Sequence, residues 1–130
     1  ALAWAESIGA LPGLVARSNA NLAAVERWVA ATPWVDFLAV DRATRSPTSI
    51  CLAITDPAIA ALDEAAQNAF VKDLCGRLAQ EGVAYDIAGY RDAPPGLRLW
   101  GGATVETSDL EALFPWLDWA FAEAKQPLAA

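Results

Sequence analysis

No histidine occurs in these 130 residues, and that absence excludes more chemistry than any motif asserts. Without an imidazole the chain cannot build from its own residues a Ser-His-Asp or Cys-His nucleophilic centre, or a histidine-ligated metal site. Methionine is absent as well, which is expected of a piece of a longer translation product. Lys72 and Lys125 are the only lysines. Each falls on an expected helix among polar neighbours, so both read as solvated rather than as desolvated Schiff-base amines. There is no glycine-rich phosphate loop of the Walker or dinucleotide type. No apolar run reaches membrane-spanning length, and the opening Ala1–Glu6 has neither the basic nor the apolar part of a secretion signal. Cysteine is confined to Cys51 and Cys75, in apolar strand-like and helix-like segments. They read as buried free thiols of a reducing compartment.

Positive charge is also in short supply. A net charge of -7 and a pI near 4.4 argue against partners that bind by phosphate neutralisation, whether nucleic acid or anionic membrane. What the chain does have is apolar mass. It is 55% hydrophobic and 19% charged, which fits one globular domain over residues 1–130 and excludes disorder. Alanine favours helix but adds little bulk, so the six tryptophans must fill much of the core.

The pattern along the chain predicts helix, two strands, helix, two strands, helix. Residues 1–8 read as a helix interrupted by Gly9, Pro12 and Gly13. Leu14, Leu22, Val25, Trp28 and Val29 then recur at helical spacing until Thr32-Pro33, because the residue before proline is pushed out of the α region. Trp34–Ala39 and Thr48–Ile54 read as strands around the polar loop Asp41–Pro47. Asp56-Pro57 signals a helix start, Asp63 can cap the next helix, and Gly82 can end it. Phe70, Leu74 and Leu78 make that helix's apolar stripe. Val83–Ala88 and Leu97–Ala103 are the expected third and fourth strands, antiparallel because only a short turn can join them. Ser108 with Glu111 forms a capping box for the last helix, which carries Pro115. The expected fold class is α+β: a two-layer sandwich with a small, mostly antiparallel sheet and helices packed on one face.

The stretch most able to carry chemistry is Gly89-Tyr90-Arg91-Asp92-Ala93-Pro94-Pro95-Gly96-Leu97-Arg98. It places two arginines around a rigid bend in an acidic chain. A guanidinium binds carboxylate or phosphate as a planar fork, so Arg91 and Arg98 together can hold a small molecule with two anionic ends. The plain alternative is a pair of surface arginines neutralised by neighbours such as Asp92. Arg42 and Arg45 form a second basic spot, which joins an anion site only if the fold brings it to the bend. Trp116 and Trp119, three apart on the last helix, read as core or interface packing.

Four stretches, Thr44–Leu52, Gly82–Ile87, Gly89–Trp100 and Leu110–Trp119, resemble in order the C-terminal domain of the phosphoserine aminotransferase family. That family comprises fold-type I aminotransferases that use pyridoxal 5'-phosphate. The resemblance implies a cytoplasmic homodimeric parent that moves an amino group between glutamate and 3-phosphohydroxypyruvate in serine biosynthesis, with neither nucleic acid nor membrane as partner. It implies that Arg98, in Gly96-Leu97-Arg98, binds the substrate α-carboxylate. It implies that Arg91 helps bind the phosphate or the distal carboxylate of glutamate. Tyr90 takes a substrate-binding position often held by histidine, and the bend is longer than in the shorter family versions. The Schiff-base lysine and the cofactor-phosphate groups belong to the family's large domain. The chain alone is therefore expected to bind no cofactor and to be inactive. A stand-alone anion-binding or regulatory module and a purely structural dimerisation domain are the competing readings. The last predicts that Arg91 and Arg98 are tied up by carboxylates of the same chain.

Overall fold

Local punctuation sets most element ends in the computed structural model, which describes residues 1–128. The elements are α1 (Leu2–Ser7), α2 (Ala10–Ala31), β1 (Val35–Phe37), β2 (Ser49–Ile54), α3 (Pro57–Ala60), α4 (Glu64–Gln80), β3 (Gly96–Trp100) and α5 (Thr107–Lys125). Short 3-10 turns lie at Arg42–Thr44 and Gln126–Leu128. Thr32 leaves α2 in an extended conformation before Pro33, as expected. The Asp56 carboxylate accepts from the Ala58 amide at the start of α3, and that of Asp63 accepts from the Ala66 amide at the start of α4. Gly82, at φ +69°, follows α4 in the left-handed region.

The three strands form one antiparallel sheet in the order β1-β2-β3. Val35, Phe37, Ile50, Leu52, Leu97 and Leu99 are all buried, and they alternate with partly or fully exposed residues at most intervening positions. One sheet face therefore meets the helices, and the other carries Ser49, Cys51, Arg98 and Trp100. On the covered side α2, α4 and α5 pack together, with Leu74, Leu78 and Leu117 fully buried between them and the sheet. Tryptophan supplies bulk as expected. Trp28 stacks on Phe114, Trp34 stacks on Phe121, and both indole N–H groups donate to the Asp118 carboxylate.

Five expectations are corrected. Val83–Ala88 is not a strand. It contributes one antiparallel bridge, Ala88 to Leu97, because the chain turns through a left-handed Asp86 (φ +55°) where a ladder would have to continue. Only Gly9 breaks the first helix; Pro12 and Gly13 sit in the first turn of α2, where proline's missing N–H costs nothing. No capping box forms from Ser108 and Glu111, since α5 starts at Thr107, which places the cap two residues earlier, at Glu106, and Glu106 makes no side-chain capping hydrogen bond there. Lys125 is not simply solvated, because its Nζ donates to Asp56 Oδ2 at 2.6 Å in a partly buried pair. Cys51 and Cys75 are free, as expected, but only half-buried, and burial pushes the Cys75 thiol up to about 11.

The start of α5 is held from a distance instead. Fully buried Asn21 on α2 donates to the carbonyls of Gly101, Gly102 and Val105, and its own oxygen accepts from Thr107 Oγ1. Arg17 clamps the same segment through the Ala103 carbonyl and Glu106. Removing Asn21's amide strands several buried polar groups at once. Asn21→Leu should therefore lower unfolding free energy by at least about 2 kcal/mol in urea melts. A loss under about 0.5 kcal/mol would contradict this role.

The Asp56–Lys125 pair makes stability depend on acid. Burial pushes Asp56 up, but the Lys125 hydrogen bond, the amides of Ala58 and Ile59, and the Lys125 charge together outweigh it and hold the carboxyl below its ordinary range. A lowered folded-state pKa means the contribution is present above about pH 4 and lost as pH falls through the folded value. Asp56→Asn keeps a capping oxygen and should flatten that acid limb in urea melts run across pH. An unchanged limb would place the acid sensitivity elsewhere.

Candidate functional site

The site begins with strand register. Gly96 faces Ala53 and Leu97 faces Leu52, which sets Arg98 opposite Cys51 on the uncovered face. A Cβ on Gly96 would run into the Leu52 carbonyl oxygen, so the Gly-Leu-Arg stretch needs its glycine for this close approach. Residues before the strand are tied back to it. Arg98 N donates to the Ile87 carbonyl at 2.8 Å and Gly89 N to the Gly96 carbonyl at 3.0 Å. The Tyr90–Pro95 bend is thereby drawn over the sheet beside Arg98.

Three side chains fix the Arg98 guanidinium. Tyr90 lies under it, with the guanidinium carbon 4.6 Å from the ring centroid. The Tyr90 hydroxyl shares a 3.2 Å hydrogen bond with Ser49 Oγ on β2, which anchors the ring. Asp86 accepts from Arg98 Nη2 at 3.3 Å. The remaining edge is unsatisfied, since Arg98 Nε is buried and has no hydrogen-bond partner. Arg98 is thus a held, partly desolvated cation with one N–H that no acceptor fills and that is closed to solvent in this state, so a carboxylate reaches it only when the atoms covering it move aside.

Arg91 is exposed at the bend and makes no ion pair among the described residues. It differs in this from Arg17, Arg27, Arg42, Arg45 and Arg77, each paired with a carboxylate. The expectation of the structural reading, that both arginines are neutralised internally, is met by Arg98 only through one long contact and is not met by Arg91. Arg42 and Arg45 are committed elsewhere. Both bind Glu26, and Arg45 also lies 4.0 Å over the Phe37 ring and donates to the Ala39 carbonyl. The Arg42 hydrogen bond leads the effects that hold the Glu26 carboxyl below its ordinary value. A groove of about 280 Å³ between Phe37, Arg45, Ser49 and Cys51 brings the second basic spot next to the Tyr90 anchor, but without a free guanidinium.

Of the residues the sequence singles out, the structure brings Arg98 and Tyr90 into contact and leaves Arg91 exposed on the bend beside them. The sequence does not single out Ser49 and Asp86, because only strand pairing and a left-handed turn bring them to the bend. Arg98 costs the fold a buried unpartnered N–H and gains one exposed ion pair. Arg98→Leu should therefore be neutral or stabilising, by up to about 2 kcal/mol in urea melts. A loss of more than about 2 kcal/mol would make Arg98 a structural residue instead.

Comparison with known proteins bears on what this edge is for. The chain is 47% identical over 120 residues to the phosphoserine aminotransferase of Methanosarcina mazei, and equally to that of Methanosarcina barkeri. Each match covers 92% of this chain and 30% of the relative, so the chain spans about three tenths of the length of these curated relatives. The same fold occurs in the solved phosphoserine aminotransferase of Bacillus circulans subsp. alkalophilus, with a TM-score of 0.71 at 19% identity, covering 92% of this chain and 30% of that one. A second solved phosphoserine aminotransferase, reported for radiation damage of its Schiff base, gives a TM-score of 0.70 at 11% identity over the same shares. No family model matches the chain.

Proposed function

Because this chain is a relative of the phosphoserine aminotransferases over nearly all of its own length, we propose that it is the C-terminal small domain of such an enzyme and that Arg98 and Arg91 bind the anionic ends of its substrates. The reading rests on one observation above the rest: a guanidinium stacked on Tyr90, on the sheet face that no helix covers, with a buried N–H awaiting an acceptor. The parent reaction converts 3-phosphohydroxypyruvate and L-glutamate to O-phospho-L-serine and 2-oxoglutarate. Every one of these molecules carries an α-carboxylate, and each has a second anionic end. A fixed fork for the shared group and a mobile arginine for the variable one let a single site serve both half-reactions. Arg98, pinned by stacking and by the backbone, suits the first task. Arg91, exposed on the bend, suits the second.

The described residues do not fit pyridoxal 5'-phosphate. A Schiff-base lysine must be desolvated and free to lose its proton. Lys125 is engaged by Asp56, and Lys72 stands exposed on α4 beside Asp73. The cofactor and the chemistry of amino transfer are therefore assigned to the part of the parent enzyme that this chain does not span. By the same reading the 130-residue chain has no aminotransferase activity of its own.

In the full-length enzyme, Arg98→Ala should lower kcat/KM in both half-reactions by roughly 10- to 100-fold, the worth of a charge-assisted hydrogen-bonded pair. Arg91→Ala should penalise the phosphorylated substrate more than an unphosphorylated analogue of similar length. Small, equal effects from the two substitutions would contradict the assignment, as would transamination of phosphoserine by the isolated chain.

A further inference from the structure

The Arg98 fork is not idle, because one of its N–H groups already contacts a carboxylate of the same chain. Asp86 Oδ2 lies 3.3 Å from Arg98 Nη2, and the Asp86 side chain is 90% exposed while that of Arg98 is 21% exposed. The contact is weak in two respects that the Arg27–Glu111 pair shares, and it has one feature of its own. It is single, whereas Arg42 grips both oxygens of Glu26 at 2.9 Å. It is longer than a well-made charge-assisted hydrogen bond, which closes to about 2.7–2.9 Å. It also leaves Arg98 Nε buried and unpartnered, although a two-point pairing would have satisfied it. Asp86 is delivered by a backbone at φ +55°, a region that Asp and Asn tolerate better than most side chains.

We propose that Asp86 is a resident carboxylate that occupies the Arg98 fork until a substrate carboxylate displaces it, and that it thereby sets the affinity of the site. The proposal rests on the carboxylate-fork reading of Arg98. Once the atoms over Nε move aside, an incoming carboxylate that accepts from both Nε and Nη2 makes two parallel bonds where Asp86 makes one, and it satisfies the buried N–H. Asp86 is almost fully hydrated already, so it returns to solvent at little cost. While it stays, its charge opposes a second anion at the same guanidinium. Apparent affinity is therefore reduced by the fraction of time the fork is taken. Ligands with one carboxylate bear that reduction in full, whereas a ligand with a second anionic group offsets it through Arg91.

The test uses the full-length enzyme, 15N-labelled at arginine, at low salt, with 2-oxoglutarate as the probe and the arginine Nε–H resonances as the readout. Arg98→Lys identifies the Arg98 signal by its loss. Asp86→Asn keeps a side chain suited to the left-handed turn and removes the charge. The expected result is an Arg98 Nε–H shift in both the wild type and Asp86→Asn, with the Kd for 2-oxoglutarate roughly two- to five-fold lower in the variant, as removal of an exposed ion pair allows. An equal or higher Kd in Asp86→Asn, with the Arg98 signal still responding, overturns the role of Asp86 and leaves the fork standing. No response of the Arg98 signal in either protein overturns both.

Discussion

The pairing of β2 with β3 is the constraint on which the rest depends. Side chains alternate along a strand, so a slip of one residue would turn Leu97 and Leu99 outward and drive Arg98 into the core. Two features prevent that slip. Leu97, Leu99, Ile50 and Leu52 are all essentially inaccessible to solvent and would lose their burial. Gly96 sits so close to the Leu52 carbonyl that no side chain fits there, which marks one register and excludes its neighbours. The same ladder carries the fold and aims the guanidinium, so position at the site follows from packing in the core.

Cations in this acidic chain divide by what they are tied to. Arg17 fastens the start of α5 to α2, Arg42 and Arg45 fasten their loop to Glu26, and Lys125 fastens the end of α5 to the start of α3. Arg45 and Lys125 also lie near aromatic rings, as Arg98 does. What distinguishes Arg98 is an unspent donor, and what distinguishes Arg91 is the lack of any carboxylate partner among the described residues. At the bend, Arg98 keeps one buried N–H unfilled beside its single contact with Asp86, and Arg91 makes no ion pair among the described residues.

Legibility in the sequence followed the range of the forces involved. Thr32-Pro33, Asp56-Pro57, Asp63 and Gly82 act through backbone geometry within a few residues, and each sets an element end as its residue type predicts. The start of α5 misled because its partners, Asn21 and Arg17, lie more than eighty residues away, so a local capping pattern had no means of competing with them. Val83–Ala88 has strand-like composition, but the turn at Asp86 takes it out of the ladder after one bridge. At the site, Arg98, Arg91 and Tyr90 stood out because they cluster in sequence around a proline bend. Ser49 looked like one more strand residue, and Asp86 like one more acidic group. Their relation to Arg98 exists only after the sheet has formed.

The central proposal is that Arg98 is a substrate-carboxylate fork whose Nε no acceptor among the described residues fills. A crystal structure of the full-length enzyme with L-glutamate bound tests it most directly. The account predicts the ligand α-carboxylate on Arg98 Nε and Nη2, the guanidinium still stacked on Tyr90, and Asp86 turned out into solvent. A glutamate bound with its α-carboxylate elsewhere, and Arg98 still resting on Asp86, would contradict it.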